Sequence, residues 1–303
     1  MTPALICLDW GTTALRAFLQ AADGHVLDTR ASAQGIMALD GAAFPDVLRA
    51  VAGGWVQAHG PLPVLLSGMV GSRQGWVEAR YVPCPARLAD LGAGLVEVPD
   101  PPHGFGPVAI APGVLMDDDA RPDVIRGEEV EVFGALALLE RSDGLFVLPG
   151  THSKWVHVAD GAITHFSTYL TGELFAALKG HTILGRMMTA EAPSPEGFRR
   201  GVEAACTLKG PGALLARLFT VRAMGLTGRL AEADSADFLS GLLIGAELLD
   251  ATRGHVPFTL VANPALTLRY EDAARLLALP HHRAPAGCGP AGQLAVARAA
   301  GFI

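Results

Sequence analysis

The sequence predicts an α/β protein built as two domains, and three observations carry that prediction. The chain has 303 residues, more than one core comfortably serves, which points to two domains of about 150 residues each. Two apolar strands end in a Gly-Thr turn and run on into a second strand, one pair at residues 5–19 and one at residues 144–158. Around these pairs, strand-like and helix-like stretches follow one another, the pattern of sheets covered by helices.

Half of the residues are apolar, enough to bury a large core and to exclude a disordered chain. The net charge of −7 argues against nucleic acid or an anionic membrane surface as the main partner. It leaves room for a small anionic substrate, which needs only a local basic pocket. Cys7, Cys84, Cys206 and Cys288 are widely spaced and form no CxxC, as expected of reduced thiols in a cytosolic protein. No basic region precedes the first apolar run and Asp9 interrupts it early, so a signal peptide is not expected. No charge-free apolar stretch is long enough to span a membrane.

The first strand, Leu5-Ile6-Cys7-Leu8, leads into Asp9-Trp10-Gly11-Thr12-Thr13, and a second strand follows, broken only by Arg16. This reads either as an ordinary hairpin or as an anion-binding turn. In the second reading Gly11 lets backbone N–H groups approach an anion. Thr12 and Thr13 donate to phosphate oxygens, and Asp9 offers hard oxygen ligands to Mg²⁺. A third antiparallel strand follows the turn at Gly24. Residues 42–59 carry helical spacing through Phe44, Val47, Leu48, Val51 and Trp55. The buried strand at Pro63-Val64-Leu65-Leu66 runs straight into Ser67-Gly68-Met69-Val70-Gly71-Ser72-Arg73-Gln74-Gly75-Trp76. Small residues after a buried strand place amides and hydroxyls at its carboxyl end, where open α/β sheets bind ligands, and Arg73 adds a cation.

Residues 81–112 are rich in Pro and Gly and read as irregular structure around one strand at Val108-Ala109-Ile110. The acid run Asp117 to Asp119 reads as a solvated loop. Arg126-Gly127-Glu128-Glu129 stands at the start of a helix whose apolar face includes Val130, Phe133, Leu136 and Ala137. Acids in a first turn are stabilised by the helix dipole. A carboxylate there stays ionised and points off the helix end, which also suits a general base.

Phe146-Val147-Leu148-Pro149-Gly150-Thr151-His152-Ser153-Lys154-Trp155 repeats the logic of the opening. Two such units suggest related half-domains facing one another, each offering a phosphate-binding turn to a shared cleft. Thr171 reads as the N-cap of a helix that carries Glu173. Residues 180–195 read as a mobile loop, and helices follow over 198–207 and 212–224. Gly241 and Gly245 lie four apart in an apolar helix, which means close packing or close approach of a ligand. The strand at 257–261 and the following turn and helix form a plausible adenosine-binding place. The small-residue helix from Gly287 is suited to tight packing at a domain interface.

GxxxxGK[ST], GxSxG with triad partners, HExxH and paired CxxC are all absent, and the GxGxxG spacing at 287–292 follows no stretch that reads as a strand. This argues against Walker-type, Rossmann, α/β-hydrolase and zinc chemistry.

These motifs together resemble the actin/hexokinase/Hsp70-type ATPase superfold, with two ribonuclease-H-like domains, mixed five-stranded sheets and an active site in the interdomain cleft. More closely, the chain resembles the 2-dehydro-3-deoxygalactonokinase family from end to end. The carrying residues are Asp9-Trp10-Gly11-Thr12-Thr13 with Leu15-Arg16-Ala17, residues 67–72, Arg126-Gly127-Glu128-Glu129 and Leu148-Pro149-Gly150-Thr151-His152-Ser153-Lys154-Trp155-Val156. Thr171-Gly172-Glu173-Leu174 and Phe238-Leu239-Ser240-Gly241-Leu242-Leu243-Ile244-Gly245-Ala246-Glu247 complete the set. One departure stands out: the adenosine motif of the superfold has a Gly-rich turn, and here that place reads Ala262-Asn263-Pro264-Ala265.

The resemblance implies phosphoryl transfer from ATP, with Mg²⁺, to the 6-hydroxyl of 2-dehydro-3-deoxy-D-galactonate in a cytoplasmic galactonate-degrading route. It implies a first domain over 1–126, completed by the helix at 287–303, with the sugar-acid site. A second domain over 127–286 would hold the nucleotide. Asp9 would serve Mg²⁺, directly or through water. Gly11, Thr12, Thr13, Arg16, Gly150, Thr151, His152 and Lys154 would hold phosphates. Glu128, with Glu129 as second choice, would take the hydroxyl proton; related sugar kinases carry an Asp at this place, so Glu is assigned by position. Arg126 and Arg73 are candidates for the substrate carboxylate, with Lys154 as alternative. Ser67, Gly68, Met69, Ser72, Trp76, Thr171 and Glu173 would complete the acceptor site. The expected partners are the sugar acid and ATP, with no nucleic acid and no membrane, and a homodimer is possible on exposed apolar surface. The alternatives are a kinase for a related acid such as 2-dehydro-3-deoxygluconate, or a nucleotide hydrolase or regulator of the same superfold.

Overall fold

The opening hairpin forms as its pattern predicts. In the computed structural model, β1 (Pro3–Trp10) and β2 (Leu15–Ala21) pair antiparallel, and β3 (Val26–Ser32) joins β2 in the same sense. The structure describes all residues except 40–42, 190–191, 211 and 254–255. Helix α1 (Phe44–His59) follows, with Pro in its first turn; the expected start at Ala42 lies outside the described residues. Next come β4 (Val64–Ser67), β5 (Val82–Pro83), β6 (Ala86–Arg87), α2 (Leu88–Ala93), β7 (Val96–Glu97) and β8 (Val108–Ile110). They are followed by β9 (Val114–Met116), β10 (Asp123–Ile125) and α3 (Glu128–Leu139). The second half begins with β11 (Gly144–Leu148), β12 (Ser153–Ala159), β13 (Ala162–Tyr169) and α4 (Thr171–His181). Then come α5 (Pro195–Ala205), α6 (Ala213–Leu226), α7 (Glu232–Ala251), β14 (Phe258–Leu260), α8 (Pro264–Leu276), β15 (His281–Arg283) and α9 (Cys288–Ala299).

Two compact units result. The first is Met1–Gly144 with Val156–Phe166 and Ala284–Ile303, and the second is Leu145–Trp155 with Ser167–Arg283. Helix α3 and helix α9 both belong to the first.

In the first unit the strand order is β3-β2-β1-β4-β8-β7, with β1, β4 and β8 parallel. The sheet therefore has six strands rather than five, because the two-residue β7 adds antiparallel to β8. Its core joins Leu8, Trp10, Phe44, Leu48, Trp55 and Leu66, all almost fully buried. Residues 81–112, expected to be irregular around one strand, also contain three strands of two residues and the six-residue α2. Elements this short show no readable periodicity.

The other large sheet, also of six strands, runs β15-β14-β11-β12-β13-β6; its order from β15 to β13 repeats β8-β4-β1-β2-β3, with β11, β14 and β15 parallel, and the two-residue β6 adds antiparallel to β13. One core cluster gathers Trp155, Phe258 and Tyr270, and another gathers Phe238, Leu242, Leu218 and Val221. The interval expected to be a mobile loop begins inside α4, which runs to His181, and contains a 3₁₀ turn at Gly185–Met187. Helix α7 is longer than its apolar stretch, starting at Glu232.

Small residues bring helices close. A Cβ at Gly134 of α3 would lie 1.8 Å from the Cys288 carbonyl oxygen, and one at Gly292 of α9 equally close to that of Val130. A Cβ at Gly241 of α7 would lie 2.2 Å from the Phe198 carbonyl oxygen of α5. Of the two readings of the Gly241–Gly245 spacing, close helix packing is therefore the one realised. Helix α9 packs on α3 inside one unit, rather than at a boundary.

Candidate active site

In the first unit, the ends of β1 and β4 and the start of α3 converge. Asp9 sits opposite Arg16 in the hairpin and opposite Ser67 in β4. Its Oδ2 accepts from Arg16 at 2.8 Å, and Arg16 also lies 3.9 Å from Glu131 of α3. Gly68 has φ +88°, and a Cβ there would lie 2.9 Å from the Trp10 carbonyl oxygen. Gly127, at φ +110°, comes so close to Gly68 that a Cβ would lie 3.2 Å from its Cα. Both conformations favour glycine, and they let the helix start rest on the strand end.

The amides before α3 fold its acids back. Arg126 N–H donates to Glu128 Oε2 at 2.9 Å, and Gly127 N–H donates to both Glu129 oxygens. Glu129 is fully buried. Burial first, and then the neighbouring Glu128 charge, push its carboxyl up to about 8 against the pull of the Gly127 amide. This corrects the expectation that an acid in this turn stays ionised and points off the helix: for Glu129, desolvation outweighs the helix end. Glu128 stays partly exposed. Glu131, one turn further on, is pushed up to about 7 by burial and by Asp9, with Arg16 pulling against them.

Arg126 is 91% buried, being 9% exposed. Its Nη2 donates to the Ala79 carbonyl oxygen at 2.8 Å and its guanidinium lies 4.3 Å from the Tyr81 ring centre. Among the described residues its buried Nε and Nη1 have no partner, and neither has Ser72 Oγ. Arg126, Ser72 and Met69 line a cavity of about 430 Å³ together with Arg73, Gln74 and Arg80. Buried donors without acceptors are costly, so this is where an anion fits. Arg73, by contrast, is exposed and pairs with Glu78 at 3.1 Å.

Other expected residues are engaged elsewhere. Gly11 N–H closes the hairpin turn onto the Ala14 carbonyl oxygen at 2.9 Å, so it does not point to an anion. Thr12 and Thr13 are exposed at the tip. Ser67 Oγ accepts from Gln293 of α9 at 2.9 Å. The Trp76 ring stacks on Phe44 at 6.1 Å and packs against the core.

In the second unit, the Gly150-Thr151 turn rests on the start of α4. Glu173 N–H donates to the Thr151 carbonyl oxygen at 2.9 Å, and a Cβ at Gly172 would lie 2.4 Å from that of Gly150. His152 Nε2 and Glu173 Oε2 are 2.5 Å apart and both side chains are exposed. Lys154 is buried and donates to Thr168 Oγ1 at 3.1 Å. Thr171 is not the N-cap of α4: that place falls to Leu170, and the Thr171 hydroxyl donates to the buried Glu247 carboxylate, a stronger acceptor. A cavity of about 860 Å³ is lined by Tyr169, Thr171, Leu174, Cys206, Leu243 and Glu247 among others. Asn263 caps α8 by accepting from Leu266 N–H at 3.0 Å.

Two participants escaped the sequence reading, Glu131 and Tyr81, and a third, Glu247, stood in it only as the end of the 238–247 motif, without a role. Glu131 follows Glu128 by three positions, which puts both on one helix face. Glu247 is an acid inside an apolar helix, and such an acid must find partners. Nothing in the sequence marks Tyr81 as the ring beneath Arg126.

The strand order repeated in the two large sheets, with a Gly-Thr turn after β1 and after β11, defines the actin/hexokinase/Hsp70-type ATPase superfold. Component A of the (R)-2-hydroxyglutaryl-CoA dehydratase of Acidaminococcus fermentans shares it. At 11% identity and a TM-score of 0.53, covering 99% of this chain and all of that one, the likeness is one of fold alone. Residues 9–296 match the 2-keto-3-deoxy-galactonokinase family, and the chain belongs to that family. It is 39% identical over 276 residues to the 2-dehydro-3-deoxygalactonokinase of Escherichia coli K12, spanning 90% of each chain. A crystal structure from Sinorhizobium meliloti, provisionally described as a 2-dehydro-3-deoxygalactonokinase, is 36% identical with a TM-score of 0.88, over 97% of this chain and 98% of that one.

Proposed function

We propose that the protein transfers the terminal phosphoryl group of ATP to the 6-hydroxyl of 2-dehydro-3-deoxy-D-galactonate, as a cytoplasmic step of galactonate catabolism. The observation that carries this reading is the pair of unpartnered donors on buried Arg126, beside the unpartnered Ser72 hydroxyl. They ask for a small anion at the start of the helix that bears Glu128, and a sugar acid supplies one. The fork of Arg126 suits a carboxylate better than a point charge does, and Tyr81 and Ala79 hold that fork in place.

In this reading the first unit takes the sugar acid and the second takes the nucleotide phosphates at Gly150-Thr151. Glu128 accepts the 6-hydroxyl proton as the new O–P bond forms and the bond to ADP breaks. Buried Glu129 stays protonated near neutral pH and supports the turn through Gly127. Among the described residues no group of three His, Cys, Asp or Glu side chains suffices to hold a metal alone. Asp9, partly exposed at the end of β1, fits the Mg²⁺ that such kinases use, since that ion accepts one carboxylate with waters and phosphates. Bound there, the ion would neutralise charge on the transferring group. Arg16, now paired with Asp9, becomes available to phosphate oxygens when that carboxylate is shared.

Among the described residues no helix is long and apolar enough to cross a membrane. The reading is tested by Arg126→Ala. A hydrogen-bonded charge contributes about 1.5–3 kcal/mol, so the KM for the keto acid should rise about 10-fold or more while that for ATP stays nearly constant. An unchanged keto-acid KM would place the carboxylate elsewhere.

A further inference from the structure

Glu247 lies in the apolar helix α7 and is only 3% exposed. Its Oε1 accepts from Ser153 Oγ at 2.6 Å and Trp155 Nε1 at 2.8 Å. Its Oε2 accepts from Tyr270 OH at 2.7 Å and from Thr171 Oγ1. Four donors on two oxygens use up the accepting capacity of a carboxylate. A buried acid is expensive, and a packed apolar side chain would fill this place in α7 at less cost. The carboxylate is therefore doing something that packing alone does not require.

What the donors flank shows its use. Ser153 and Trp155 begin β12 and stand just after Gly150-Thr151. Thr171 opens α4, directly before Gly172 and Glu173, the two residues on which that turn rests. One carboxylate thus grips the turn's outgoing strand and its supporting helix together. The grip is anchored on a rigid element, since α7 is held against α5 at Gly241 and Gly245. Side chains that fix the groups around a binding loop set its affinity without touching the ligand.

We propose that Glu247 is a positioning residue for the Gly150-Thr151 turn, holding its backbone in the geometry that receives nucleotide phosphates. The proposal rests on the reading of that turn as a phosphate site. A purely structural Glu247 would affect stability alone, or would affect both substrates alike.

The test measures KM for ATP and for the keto acid, ADP affinity by calorimetry, and melting temperature. It uses Glu247→Gln, Thr171→Val and Thr151→Val. Glu247→Gln keeps the shape but turns one acceptor into a donor facing donors. Thr171→Val removes a single hydroxyl and carries the test where the first variant does not fold. The expected result for both is an ATP KM and an ADP dissociation constant raised about 10-fold, with the keto-acid KM within about twofold. If Thr151→Val weakens ADP binding while Glu247→Gln and Thr171→Val do not, the positioning role is overturned and the phosphate site stands. If none of the three changes ADP binding, the phosphate reading falls and the proposal with it. A parallel rise in both KM values also overturns it.

Discussion

Glu128 and Glu129 are neighbours in sequence with opposite surroundings. Glu128 keeps access to solvent, whereas Glu129 is enclosed and accepts twice from one amide. Glu128→Gln should lower turnover about 100-fold or more, the usual contribution of a positioned base, with ATP affinity kept; near-full turnover would remove Glu128 from that role. Glu129 makes a prediction on stability. Its carboxyl titrates near 8 in the folded chain against an ordinary 4.5, so the folded state holds a proton that the unfolded state releases. The stabilisation is complete below about pH 4.5 and is lost as pH rises through about 8. The melting temperature should fall between about pH 4.5 and about pH 8 and level off above that, and Glu129→Gln should flatten that fall. An equal fall in the variant would mean that Glu129 does not titrate in this window. Neither the enclosure of Glu129 nor the unpartnered nitrogens of Arg126 could be read from the sequence. Both depend on which distant residues arrive around them, such as Ala79 and Tyr81.

Helix α3 shows how an element carries the site. Its first turn holds the acids, and Gly134 at its middle seats it on α9. Gly134→Ala adds a methyl at 1.8 Å from a carbonyl oxygen, which the two backbones can relieve only by parting. Overpacking of this kind costs about 1–3 kcal/mol, more than the gain of about 1 kcal/mol in helix propensity. The variant should melt lower and lose turnover as the start of α3 shifts; an equal or higher melting temperature would contradict the packing account. The small residues of α9 were legible as a close-packing surface, and the glycines of α7 as a place where either a helix or a ligand comes close. Their partners, α3 and α5, were not, since a glycine says how close another helix comes but not which one. The hairpins and long helices were likewise legible from their periods, whereas the two-residue strands between 81 and 112 carry too few residues to show one. The second-unit turn was legible as a Gly-Thr motif. Its support by Glu247 was visible only as an acid in an apolar helix.

Over the whole molecule, the same order of five strands occurs in both six-stranded sheets, with a Gly-Thr turn after β1 in one and after β11 in the other. That repetition, seen first as two similar stretches of sequence, identifies the superfold. It does not by itself choose the acceptor, because the dehydratase component shares the fold. The acceptor is indicated by family membership and by one buried arginine with donors to spare. A net charge of −7 sets that local cation against an acidic whole, which suits a small anion held in a pocket better than an extended polyanion. The central claim is therefore about the acceptor, and one measurement tests it most directly. ADP release is followed with ATP and Mg²⁺ across a panel of 2-dehydro-3-deoxygalactonate, its gluconate-derived epimer, neutral hexoses and no acceptor. The account predicts fast ADP release with the galactonate-derived acid, little with neutral hexoses, and a 6-phosphorylated product. ADP release that is the same with and without every sugar acid would contradict it.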